Sequence, residues 1–147
     1  MGLFKKVLVA TDFSDASGGA LALARSVART EGAALTVVHV MELPALPEGL
    51  QVDLVTPLTD AAKARFVTLM AAVRAEVPGA TQRLELGAPW ERILEVSLEI
   101  GADLVVVGTH GRRGVVHALL GSVAERVVRL SPVPVLTVRT PEPAQAR

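Results

Sequence analysis

The chain predicts an α/β fold: an open, five-stranded parallel sheet with helices on both faces. Three observations point there. Short apolar runs rich in Val and Leu alternate along the chain with longer segments whose apolar residues recur at helical spacing. Half of the 147 residues are hydrophobic, yet only three are Phe and one is Trp. One core of Val, Leu, Ile and Ala is therefore expected, within a single domain spanning residues 1–139. Finally, a glycine-rich stretch joins the carboxyl end of one apolar run to the start of a helical segment, a join typical of α/β units.

The first strand is Lys6-Val-Leu-Val-Ala-Thr11, uncharged after its first residue and ended by Asp12-Phe-Ser-Asp15. Ser14 or Asp15 caps the helix that follows. That helix, Ala16 to Arg29, carries Leu21, Ala24, Val27 and Ala28 on one face and stops at Gly32. Ala34 to Val40 is a second strand, rich in β-branched residues. Residues 42–56, with Pro44, Pro47 and Gly49 and with Pro57 just beyond, read as a long connection of the kind that forms lids or mobile segments. A helix is expected from about Leu58 to Glu76, with Ala62, Phe66, Leu69 and Val73 inward, broken by Pro78-Gly79. Thr81-Gln-Arg-Leu-Glu-Leu86 alternates polar and apolar residues, which suits a strand near the sheet edge with one wet face. Gly87-Ala88-Pro89 opens the next helix, with Pro89 at its first position, Ile93, Leu94, Ser97 and Ile100 inward, and Gly101 at its end. Asp103 to Gly108 is the fourth strand, Val123 to Leu130 the fourth helix and Pro132 to Val138 the fifth strand. The last eight residues, 140–147, read as a disordered tail.

The stretch from Gly108 to Ser122 is where an anion is most easily held. Glycines let the backbone approach a ligand closely and permit positive φ. The first turn of a helix presents unpaired N–H groups and a partial positive charge. The stretch is not a P-loop, since GxxxxGK[ST] occurs nowhere, and the chain has no G-x-G for a dinucleotide fingerprint. The spacing that fits is G-x2-G-x9-G-[ST], formed by Gly108, Gly111, Gly121 and Ser122. A purely structural reading exists beside this one. Ser122-Val-Ala-Glu125 is also a capping box, and Gly108 and Gly111 could be turn glycines.

This glycine pattern, together with Val9-Ala-Thr-Asp12 and Ser14, the Gly87-Ala-Pro89 helix start, Gly101-Ala-Asp-Leu-Val-Val-Val-Gly108 and Pro132-Val-Pro-Val-Leu136, resembles the ATP-binding branch of the universal stress protein family. The likeness runs over residues 4–139. It implies a Rossmann-like sheet (adenine nucleotide alpha hydrolase-like) in the order 3-2-1-4-5. The chain then reverses across the sheet between strands 1 and 4, where ligands of open α/β sheets bind. It further implies that Asp12 contacts the nucleotide or its Mg2+, that Val40 meets adenine through its backbone, and that the glycine loop wraps ribose and phosphates. The expected nucleotide site is Ala10, Thr11, Asp12, Val40, Gly108, His110, Gly111, Arg112, Gly121, Ser122, Val123 and Ala124, with no catalytic residue assigned. ATP is the expected ligand; ADP, AMP or a cyclic nucleotide are the alternatives. Ala124 stands where some ATP-binding relatives place Thr, so one side-chain donor is missing. The resemblance also implies a homodimer in which the apolar last strand, Val133 to Val138, pairs with its copy.

Other residues divide between roles. His110, Arg112 and Arg113 could touch phosphate or stand in solvent. His117 reads as a surface residue, His39 as packed against a helix, Asp15 as a cap; Trp90 has no assigned role. Fifteen basic and fifteen acidic residues cancel, which leaves no nucleic-acid footprint. The chain has no Cys, so thiol catalysis and thiolate metal sites are excluded. The amino terminus does not read as a signal peptide, no uninterrupted apolar run reaches membrane-spanning length, and the cytoplasm is the expected compartment. The favoured function is a nucleotide-dependent regulatory or stress-response protein with an unidentified protein partner. The alternatives are a slow ATP hydrolase or self-phosphorylating enzyme, and a dimeric adaptor without nucleotide. Neither H-x-G-H nor G-x-S-x-G occurs, which counts against a nucleotidyl transferase and an α/β-hydrolase.

Overall fold

The computed structural model describes residues 2–109 and 120–139. In chain order the elements are β1 (Lys6–Ala10), α1 (Asp15–Glu31), β2 (Ala34–Met41), α2 (Glu48–Glu76), β3 (Thr81–Leu86), α3 (Pro89–Ile100), β4 (Leu104–Gly108), α4 (Ser122–Leu130) and β5 (Val135–Val138). All pairings are parallel, and the sheet runs β3-β2-β1-β4-β5. This is the fold class and strand order expected.

The alternation of side chains along each strand divides the core into two layers. Val7, Val9, Leu35, Val37, Leu104 and Val106 face α1 and α2, where Ala24, Phe66, Met70 and Val73 are buried against them. Leu8, Val38, Val105 and Val107 face α3 and α4, where Ile93, Val96, Ala124 and Val127 meet them. Such fully buried aliphatic side chains stabilise the fold by roughly 1.5–3 kcal/mol each. The strands are apolar on both faces because both faces are covered. At the edge, β3 keeps one wet face, and Glu85 there accepts hydrogen bonds from Arg83 and Arg92 while Arg83 also donates to Glu99 at 2.7 Å. This network fastens β3 to α3. The Glu99 hydrogen bond raises the Arg83 guanidinium above its ordinary pKa, and the Glu85 bond does the same for Arg92.

Helix ends follow local chemistry. Ser14 caps α1, its Oγ accepting from the Ser17 N–H, while Asp15 is the first helical residue rather than the cap. Gly32 and Gly101 end α1 and α3 at φ 66°, in the left-handed region where a Cβ is penalised.

Two elements differ from the sequence expectation. The helix expected from Leu58 begins at Glu48, so most of the expected connection is helical and Pro57 lies inside α2. Pro47, at φ −52°, precedes the first turn. Leu50, Leu54 and Leu58 continue a helical spacing through the segment. Pro57 is exposed, so the carbonyl it leaves without an intrahelical donor can be hydrated. The fifth strand begins at Val135, not Pro132. Before it, the Ser131 Oγ–H donates to the Val133 carbonyl at 2.8 Å and Ser131 Oγ accepts from the Val133 N–H at 3.2 Å, a local turn that replaces sheet pairing.

Candidate functional site at the switch between β1 and β4

The chain leaves β1 toward α1 on one face of the sheet and leaves β4 toward α4 on the other. Adjacent strands therefore send their connections apart, and a crevice opens between their carboxyl ends. Ala10 and Gly108 end the two strands there, each half-buried.

The turn after β1 is built by short polar side chains. The Thr11 N–H donates to the Val38 carbonyl at 2.9 Å, which ties residue 11 to β2. Thr11 is buried; its Oγ1 accepts from the Phe13 N–H at 3.0 Å and lies 3.1 Å from Ser17 Oγ. The Asp12 carboxylate accepts through Oδ1 from the Ser14 N–H at 2.9 Å and from the Ser14 hydroxyl. Phe13 is the one non-glycine described residue at positive φ, 63°. Asp12 is thus presented by a turn whose every residue is held by a neighbour.

Beyond β4 the chain reaches Thr109, which is buried and donates its N–H to the Val138 carbonyl at 3.0 Å. The Thr109 carbonyl accepts from the Gly121 N–H. That bond brings the start of α4 directly to the end of β4. The first helical bond of α4 runs from the Glu125 N–H to the Gly121 carbonyl at 2.9 Å. The N–H groups of Ser122, Val123 and Ala124 precede it, so the helix itself gives them no acceptor. His110, Gly111 and Arg112, like Arg113, Gly114 and His117, lie outside the described residues.

The capping-box reading of Ser122 is overturned. Gly121 is the N-cap, Ser122 is the first helical residue, and no side-chain capping bond forms. Glu125 instead pairs with Arg129 at 3.2 Å. The reason is the Thr109–Gly121 bond, which fixes residue 121 as the last one outside the helix. Positive φ is likewise not what the glycines supply at the described positions. Gly121 sits at φ −67°, ψ 163°, and Gly108 is extended within β4. At the N-cap, Gly121 is favoured over larger apolar residues.

Val40 lies half-buried near the carboxyl end of β2 and packs with Ala10 and Val123 against the α3–α4 layer. Next to it, Glu42, Leu43, Leu86, Gly87 and Ala88 line a shallow groove of about 330 Å³. The groove sits at the ends of β2 and β3, to one side of the switch point. Trp90 lies under the Arg126 guanidinium, 5.4 Å from its ring centre. Sequence reasoning missed Thr109, whose only sequence signal was its place after a strand, and Phe13, whose αL backbone leaves no mark in residue type. It placed His39 against a helix, and the ring does lie 6.4 Å from that of Phe66 in α2. The bond from His39 to the Thr11 carbonyl, 2.8 Å, was not foreseen.

Residues 3–139 match the pattern of the universal stress protein family. The chain belongs to that family. A universal stress protein of Thermus aquaticus, named for the 3′ region of a QAH/OAS sulfhydrylase, is 38% identical over 143 residues, covering 93% of this chain and all of the relative. A solved universal stress protein UspA from Lactobacillus plantarum superposes with a TM-score of 0.83 over 92% of this chain and 97% of that one, at 24% identity, which speaks to fold. A universal stress protein solved in complex with cAMP shares 30% identity and a TM-score of 0.70 over 92% of this chain and 97% of its own. In this universal stress protein no helix among the described residues is long and apolar enough to cross a membrane.

Proposed function

We propose that this universal stress protein belongs to the ATP-binding branch of its family, holds ATP with Mg2+ at the β1/β4 switch point, and acts as a homodimeric regulator in the cytoplasm. The observation that carries the reading is the α4 amino terminus. Three consecutive N–H groups with no intrahelical acceptor stand at the carboxyl end of β4, next to the turn that presents Asp12. An N-terminal helix turn favours an anion by its aligned dipoles and its unpaired donors. Because Ser122 makes no capping bond, its hydroxyl can serve a phosphate as well. The relative solved with cAMP supports an adenine nucleotide as the ligand class.

In this reading the Ser122, Val123 and Ala124 N–H groups receive phosphate oxygens, and Val40 and Ala10 flank the base. His110, Gly111 and Arg112 complete the loop on sequence grounds. Among the described residues no three His, Asp or Glu side chains cluster to hold a metal. Mg2+ would be held by Asp12, phosphate oxygens and water, as this ion keeps several waters. Bound there, Mg2+ would neutralise phosphate charge. The site is a holder of nucleotide first and a slow catalyst at most.

Identifying nucleotide released by denaturing freshly purified protein, by mass, tests the ligand class. Gly121→Val tests the site. Its backbone angles suit Val, so the variant should still fold, about 1 kcal/mol less stable for Val at the N-cap, while bulk enters the approach to α4. ATP at a hundred times its Kd should stabilise the parent by about 2.7 kcal/mol, roughly five to ten degrees. Gly121→Val should lose most of that shift. A variant that shifts with ATP as the parent does would place the ligand elsewhere.

A further inference from the structure

We propose that His39 is a positioning residue that sets the turn presenting Asp12; its consequence for ligand binding rests on the nucleotide reading above. The acceptor of the 2.8 Å bond is the Thr11 carbonyl. A carbonyl cannot donate, so His39 Nδ1 carries the proton and donates. β2 then grips both backbone groups of Thr11, Val38 accepting from its N–H and His39 donating to its carbonyl. The other residues on its face of β2, Leu35, Val37 and Met41, are apolar and buried.

The ring has a second task. Phe13 holds φ 63°, a conformation that L-residues adopt only when their surroundings impose it. Its ring lies 4.5 Å from the His39 ring and 5.0 Å, edge-on, from Phe66. Arg65 lies over it, 5.9 Å from the ring centre. The left-handed step at Phe13 brings the Ser14 N–H and hydroxyl back onto Asp12 Oδ1. The Phe13 N–H meanwhile closes onto Thr11 Oγ1. One imidazole therefore fixes residue 11 by a hydrogen bond and residue 13 by a ring contact, and Asp12 lies between them.

Three variants separate the tasks. His39→Asn keeps a donor at the Nδ1 position, two bonds from Cβ, without the ring. His39→Phe keeps a ring without the donor, and His39→Leu keeps neither. The readouts are amide hydrogen exchange at Phe13 and Ser14 without nucleotide, Mg-ATP affinity by calorimetry, and melting temperature. His39→Phe should speed exchange at those two amides at least tenfold while Ile93 to Ile100 in α3 stay as in the parent, and should weaken ATP binding at least tenfold. His39→Leu should do no better. His39→Asn should recover part of both and stay short of the parent, because the ring contact to Phe13 is still absent. Unchanged exchange at Phe13 and Ser14 in His39→Phe overturns the proposal, as does loss in all three variants that merely follows melting temperature. A parent that binds no adenine nucleotide, with the exchange results as expected, sinks the nucleotide reading and leaves the role of His39 in the turn standing.

Discussion

Asp103 shows how single side chains keep the two ends of the sheet distinct. It stands at the start of β4, and its carboxylate accepts from the Lys5 N–H at 2.8 Å and the Lys6 N–H at 3.0 Å, closing the amino end of β1 against β4. At the other end Asp12 is turned onto Ser14. Two aspartates at opposite ends of adjacent strands thus have separate tasks, one stapling β1 to β4 and one closing the turn after β1. Hydrogen bonds to a carboxylate contribute about 1.5–3 kcal/mol each when sheltered and less when exposed, as here. Asp103→Ala is expected to cost about 1–2 kcal/mol in urea unfolding. It should leave the ATP-dependent melting shift unaltered. A variant that lost the shift while remaining folded would mean that the staple and the site are coupled.

At the scale of elements, α2 is the one that exceeds its neighbours. Its 29 residues extend about 43 Å at 1.5 Å each, whereas the six residues of β3 span roughly 20 Å. Ala62, Phe66, Met70 and Val73, in its carboxyl half, are buried against the sheet. In its first turns Leu50 and Leu58 are exposed, and little tertiary packing opposes fraying. Pro57 marks the join between the two halves. Local helix stability there should be limited by the missing N–H and the ring, a penalty of about 3 kcal/mol in a helix interior. Pro57→Ala is therefore expected to slow amide exchange over residues 50–56 by tenfold or more while barely altering exchange at Phe66 and Met70. Equal slowing in both halves would show that α2 is a single cooperative unit.

The whole molecule has two sheet edges, and they are treated differently. β3 is charged, with Arg83 and Glu85 engaged in ion pairs. β5 is apolar and short, with every residue half-buried. Leu136 and Val138 pack into the core beside α1, so changing them would test folding as much as association. The ladder offers a cleaner probe. Thr109 donates to Val138, and Val105 donates to Pro134, so the backbone groups of residues 134, 136 and 138 face β4. Those of Val135 and Thr137 then face outward. Thr137→Pro removes an outward donor without breaking a bond to β4. If β5 pairs with its copy as proposed, the variant should shift the solution mass toward monomer by light scattering, with the melting temperature of the monomer little changed. A parent already monomeric at micromolar concentration would end the dimer reading.

The sequence by itself determined the kinds of element and nearly all their positions. Buried parallel strands announce themselves as continuous apolar runs, and β3 was readable as an edge from its alternation alone. It also marked the strand-to-helix join at Gly108 to Ser122, because glycine spacing is a local signal. The strand order came from family likeness and agrees with the structure; no periodicity encodes it. Tertiary structure decided the rest. Ser122 reads locally as a cap, yet the bond between Thr109 and Gly121 moves the cap one residue back. The start of α2 lies beyond what prolines signal, since Pro57 is accommodated inside the helix at an exposed position. His39 and Thr11 are 28 residues apart, and Asp103 and Lys5 are 98. Contacts across such separations depend on which strands become neighbours and in what register, and a residue pattern read along the chain carries neither.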